Sequence, residues 1–107
     1  MLTIDGALTF GLERDGKYHK EFTLRVPTLE DVEIALEDAG LDACAARVSR
    51  HRWACCMTRL GDIPKKEITA DLLASLPAYE YGVLEAAEEE LLKKLASASA
   101  GTSTPSA

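Results

Sequence analysis

The sequence predicts an α+β fold, an N-terminal antiparallel β-hairpin followed by three to four α-helices, on three observations. Apolar and polar residues alternate over 18–26, YHKEFTLRV, directly after a two-residue Asp15-Gly16 turn signal. From residue 29 onward the apolar positions recur at helical spacing. Aromatic residues are few, so the core must be built mainly from Leu, Ala and Val, and 107 residues are enough for one such core.

The first strand is read over 7–13, ALTFGLE, with RDGK as the turn. Thr3-Ile4-Asp5-Gly6 is either the start of that strand or a separate lead-in. In the second strand the pleat places Tyr18, Lys20, Phe22, Leu24 and Val26 on a largely apolar face, and His19, Glu21, Thr23 and Arg25 on a wet one. Pro27 has no N–H to continue a ladder, so the strand ends there. Thr28 is the expected N-cap of the next helix, with Asp31 at the capping-box position and Glu30 near the positive end of the helix dipole. Leu29, Val32, Ile34 and Leu36 are read as the apolar side of this helix, which stops at Gly40.

Asp42 is the expected cap of a second helix over 43–60, closed by Gly61. A helical wheel places Ala46, Ser49, Trp53, Cys56, Met57 and Leu60 inward, with Arg47, Arg50, Arg52, Arg59 and His51 outward or at the flanks. After the Asp62-Ile63-Pro64 connector, Thr69 caps a short helix through Leu76. Pro77 then suits the first turn of a last helix, 77–96, with Tyr79, Val83, Leu84, Ala87, Leu91 and Leu95 at helical spacing. Glu89 and Lys93 are placed for an i,i+4 pair. The reading is of one domain over 1–96, with a flexible Ser/Ala/Thr-rich tail over 97–107.

The charge distribution narrows the functional classes. The net charge is −6. That balance argues against nucleic-acid binding, whose nonspecific affinity comes from Lys and Arg on phosphates. Residues 29–42 hold Glu30, Asp31, Glu33, Glu37, Asp38 and Asp42 with no base, whereas 43–60 hold four arginines and no acid. These opposite faces are either solvated or neutralised within the chain, form a protein-docking surface, or, on the arginine side, serve a helix-turn-helix-like DNA-binding regulator using helix 43–60. No apolar run approaches the ~18 residues of a membrane span, and no secretory leader is recognisable, so a cytoplasmic protein is expected.

Three cysteines, two of them adjacent, suit neither a disulfide framework nor a C-x-x-C zinc site. Cys44, His51 and Cys55 share one helical face, but residues seven apart lie about 10 Å apart along a helix axis, too far to converge on a metal. Only His51 and Cys55 are close enough to act as a pair, and a helix interior lacks the donors that acyl chemistry needs. The chain has no phosphate loop, zinc-protease helix or nucleophile elbow. The expectation is a protein that is not an enzyme and uses no cofactor or metal.

The order of elements resembles the small tail assembly chaperones of Mu-like and P2-like contractile-tailed phages and prophages. The resemblance is carried by Gly16–Asp31, where the Asp-Gly turn leads into EFTLRVPTLED, and more loosely by 60–91, where a Leu-Gly-x-x-Pro connector precedes Ile68, Leu72, Leu73, Leu76, Tyr79 and Leu84. It implies a protein that binds the tape-measure protein, and the tail tube protein as a second partner, during tail morphogenesis. It further implies a homo-oligomer that contacts neither nucleic acid nor membrane and is absent from the finished particle. Such proteins are commonly accompanied by a frameshifted longer product, with which a Ser/Ala/Thr tail is compatible. The partner surface is assigned to Arg47, Arg50, Arg52 and Arg59 with Glu30, Glu33 and Glu37, since complementary charge is what selects and steers a protein partner.

Overall fold

The computed structural model describes residues 2–102. It is α+β: a three-stranded antiparallel sheet of order β1-β2-β3 is combined with four helices. Strand β1 (Thr3–Arg14) and strand β2 (Lys17–Arg25) form the expected hairpin, and Thr3–Gly6 belongs to β1 itself. Asp15 (φ 53°) and Gly16 (φ 79°) both occupy the left-handed region, as a type I′ turn requires.

Cross-strand pairing runs from Thr3 opposite Arg25 to Ala7 opposite Glu21, and resumes at Leu12 opposite His19. Residues 8–11 of β1 therefore stand against Lys20 alone. Leu8 and Leu12, four residues apart and so on one side of β1, both stay in the core across this bulge. Opposite the bulge, β2 departs from the regular alternation. Phe22 and Leu24 are buried as expected, but Tyr18 is exposed and His19 is buried. The imidazole of His19 lies over the Gly61-Asp62 turn, where its Nδ1 accepts the Asp62 N–H at 3.2 Å.

Helix α1 (Leu29–Ala39) carries the predicted capping box and ends at Gly40. Its packing side differs from the prediction. Asp31, Ala35 and Ala39, spaced i, i+4, i+8, are buried toward helix α2 (Ala45–Cys56), while Leu29, Ile34 and Leu36 are exposed. Alanines let two helix backbones approach closely, and the bulkier side chains are left on the outer side. The N-cap of α2 is Cys44, with no side-chain capping bond, so Asp42 does not cap it.

The predicted helix over 43–60 is corrected: it stops at Cys56. Met57–Leu60 form strand β3, which pairs with β2 through Phe22–Leu60, Thr23–Arg59 and Leu24–Met57. The register slips by one residue at Thr58, a bulge that lets Met57 and Leu60 both point inward at a spacing of three. The same spacing fits a helix, which is why the wheel accommodates it.

A 3₁₀ turn (Lys65–Glu67) leads to helix α3 (Ala70–Leu73), capped by Thr69 as expected, and then to helix α4 (Glu80–Thr102). Helix α4 starts three residues after Pro77 and continues through the Ser-Ala stretch to Thr102, past residue 96. The remainder of the tail, 103–107, lies outside the described residues. Lys93 pairs with Glu90 at 3.5 Å rather than with Glu89. Helix α4 lies along β1, and Leu84 and Leu91 join Phe22, Leu24, Trp53 and Met57 in the core.

Two buried carboxylates fasten these elements together. Arg25, at the end of β2, holds Asp31 in a two-point ion pair (2.6 and 3.0 Å) and donates to the Cys55 carbonyl in the last turn of α2 at 3.1 Å. Asp31 also accepts the backbone N–H and hydroxyl of Thr28. This array holds the Asp31 carboxyl well below the usual carboxylate range, the Arg25 hydrogen bonds being the largest cause. The second is Glu80, which is fully buried at the start of α4. Its oxygens accept the N–H groups of Thr9, Phe10 and Gly11 at 2.9, 2.7 and 2.9 Å, filling the hydrogen bonds that the bulge takes from the ladder. Gly11 sits at φ 90°, and a Cβ there would come within 2.9 Å of the His19 carbonyl oxygen.

Candidate protein-docking surface

The predicted arginine face is not a continuous basic surface. Arg52 is locked in a two-point pair with Glu88 of α4, both contacts 2.8 Å, with the side chains 22% and 15% exposed. Arg50 donates to the Ala70 carbonyl at 2.7 Å and thereby ties α2 to the start of α3. Arg59 lies on β3, where it contacts Glu21 and Thr23, each at 3.3 Å. Arg47 is exposed and, among the described residues, forms no ion pair.

The acidic residues follow the same division. Asp31 is consumed by Arg25, while Glu30, Glu33 and Glu37 project from the exposed side of α1 without an ion pair among the described residues. The acidic side of α1 and the arginines of 43–60 do not pair with each other among the described residues. The arginines of 43–60 that are paired have partners on β2 and α4, not on α1.

Arg47 and Arg50 border an apolar groove. Along one wall run Ala46, Arg47, Arg50 and Trp53 of α2; the opposite wall is built from the α3–α4 connection and the first turns of α4, including Leu76, Tyr81 and Leu84. Its volume is about 380 Å³, within the range of sites that take a bulky apolar group. Trp53 and Tyr81 meet edge to face across the floor with ring centroids 5.1 Å apart. The indole Nε1 of Trp53 is buried without an acceptor. An N–H in that condition costs free energy.

A second apolar feature lies on the outer side of α1. Leu29 is 83% exposed, Leu36 52%, and Leu41 just beyond the helix is fully exposed. On the helix, Leu29, Glu33 and Leu36 fall on one side at i, i+4, i+7. Large apolar groups grouped on one helix side and edged by carboxylates are characteristic of an interaction surface.

The three cysteines are free and lie in different surroundings. Cys56 is buried beside Asp31, and burial pushes its thiol up to about 12. Burial likewise raises Cys55. Cys44 is exposed at the N-terminus of α2, and the backbone N–H of Arg47 lowers it. Among the described residues no three His, Cys, Asp or Glu side chains are grouped to hold a metal ion, and no helix is long and apolar enough to cross a membrane.

Of the residues expected to form a partner surface, the structure brings Arg47 and Arg50 to one groove and Glu30, Glu33 and Glu37 to one helix side; it commits Arg52 to Glu88 and leaves Arg59 exposed on β3 beside Glu21. Sequence reasoning missed Tyr81 and Leu76 as groove residues and Glu80 as the bulge anchor. The only available signal for Glu80 was a Glu at the start of an otherwise regular helix, which reads equally well as a dipole effect. No protein-family model matches the chain, and no curated protein or solved structure is significantly similar to it.

Proposed function

We propose that the chain is a non-enzymatic tail assembly chaperone of the kind found in Mu-like and P2-like contractile-tailed phages and prophages, acting in the host cytoplasm as a homo-oligomer that binds the tape-measure protein. The resemblance over 16–31 and 60–91 motivates the assignment. The observation that carries the docking role is the Trp53–Tyr81 groove with Arg47 and Arg50 at its edge. A chaperone of long amphipathic helices needs a concave apolar surface with a charged border, because the client must bury apolar side chains while its polar face stays wet.

The DNA-binding reading needs a free basic helix over 43–60. Two of its four arginines are spent on Glu88 and Glu21, and the segment is divided between α2 and β3.

The test is co-expression with a helical fragment of a tape-measure protein encoded beside the gene. A soluble complex is expected with the parent chain and much less of it with Leu76→Glu, which places a charge in the groove wall. An insoluble fragment in both cases, or tight and salt-sensitive binding of duplex DNA, overturns the proposal.

A further inference from the structure

We infer that the Trp53–Tyr81 groove receives helix α1 of a second copy of this chain, so that copies join head to tail. The inference deepens the self-association in the reading above and does not depend on the tape-measure assignment.

Each of the two unpartnered surfaces has what the other lacks. The groove is a concave apolar slot bordered by Arg47, which has no ion pair among the described residues, and by Arg50, whose Nη1 alone is committed to a carbonyl. The outer side of α1 is a convex apolar ridge, Leu29 and Leu36, edged by Glu33 and Glu37. Seven residues separate Leu29 from Leu36, and seven separate Ala46 from Trp53 along the groove wall. Ridge and slot therefore both extend about 10 Å. Seating the leucines would bring the two carboxylates to the arginine border. Opposite charges that meet across an interface steer association and fix its register.

A chain cannot fill its own groove this way. Asp38 of α1 and His51 and Cys55 of α2 border one shared hollow. On the α2 wheel, Ala46, Arg50 and Trp53 project from roughly the opposite side, with Arg47 at the flank between the two. Helix α1 is held against α2 by Asp31, Ala35 and Ala39, with its leucines turned outward. A second copy supplies the ridge without any rearrangement. Because ridge and slot are different surfaces, the contact is heterologous and propagates until it closes into a ring or continues as a filament.

Sedimentation velocity on the full chain, from about 1 to about 300 μM, should show mass rising with concentration, more steeply at low salt. Two variants divide the interface. Leu29→Glu with Leu36→Glu removes the ridge and leaves the groove; Arg47→Glu with Ala74→Trp reverses the border charge and fills the groove while leaving the ridge. Each alone should be monomeric. Mixed in equal amounts they should form a pair and nothing larger, because the first offers only a groove and the second only a ridge.

Circular dichroism establishes that each variant is folded. If either is not, the gentler exposed exchange Glu33→Lys with Glu37→Lys should weaken association about tenfold or more, and should be restored toward the parent when the receiving copy carries Arg47→Glu. A parent chain that remains monomeric throughout overturns the inference. So do single variants that assemble like the parent, or an equal mixture of folded variants that stays monomeric. A client helix and helix α1 would compete for the one groove, and the ridge separates the two readings: Leu29→Glu with Leu36→Glu leaves the groove open, so it should lose self-association yet still hold the tape-measure fragment in solution.

Discussion

Glu80 shows how much one side chain can carry in a small domain. Its carboxylate supplies both oxygens to three consecutive backbone N–H groups of the β1 bulge, and the residue is fully buried. Glu80→Gln is nearly the same size, but only one end of an amide accepts. The other end would direct an NH₂ group at a backbone N–H, leaving at least one buried donor unsatisfied. Hydrogen bonds to a charged acceptor contribute about 1.5–3 kcal/mol each, and an orphaned buried donor costs a comparable amount. The expected loss is therefore about 3 kcal/mol, measured as a fall in the urea midpoint with an unchanged m-value. A loss below about 1 kcal/mol would mean that the bulge rearranges to pair its N–H groups elsewhere. Glu80→Ala should cost more, since all three donors lose their acceptor and a cavity opens beneath α4.

At the scale of elements, Arg47 and Arg52 lie on one helix, and reversing each tests different things. Arg52 joins α2 to α4 through Glu88 in a mostly buried pair. Arg52→Glu sets two carboxylates together there, and breaking such a pair costs about 3–5 kcal/mol. Arg47→Glu, at an exposed position, should stay within about 0.5 kcal/mol of the parent. Thermal unfolding of the two variants beside the parent distinguishes them, and equal midpoints would show that the Arg52–Glu88 pair contributes nothing. From sequence the two arginines were indistinguishable, because what separates them is the position of α4, a long-range fact. The elements themselves were legible wherever local chemistry decides them: the Asp15-Gly16 turn, the Thr28–Asp31 capping box and the stop at Gly40 are all as read. The reading failed where a bulge alters the period. At Thr58 a bulged strand mimics helical spacing, so β3 was absorbed into the preceding helix; opposite residues 8–11 the inward and outward sides of β2 exchange, so His19 was placed in solvent. It also failed on α1, where leucines were taken for the packing side although alanines fill it. That exception is itself informative, since a helix that exposes its leucines has another surface to meet.

At the scale of the whole molecule, the Arg25–Asp31 junction determines how the fold responds to acid. The pair connects the end of β2, the N-terminus of α1 and the C-terminus of α2. Its pH dependence follows from the direction of the Asp31 shift. The folded chain holds this carboxyl below the ordinary value near 3.9, chiefly through the Arg25 hydrogen bonds, so in acid the unfolded chain binds a proton that the folded chain does not. The stabilisation is thus fully present above the ordinary carboxylate range and is lost progressively as pH falls from about 4 toward the depressed folded value. Asp31→Asn removes the titrating group and leaves Arg25 without its counter-charge in a partly buried site. The variant should be less stable at pH 7 by about 3 kcal/mol, and its disadvantage should shrink steadily below pH 4, where the parent loses the same contribution. Urea melts of both proteins at intervals between pH 7 and pH 2 provide the measurement. Two stability curves that run parallel across that range would show that Asp31 does not couple folding to protonation, and that the junction is held by Thr28 capping and by the packing of Ala35 and Ala39 instead.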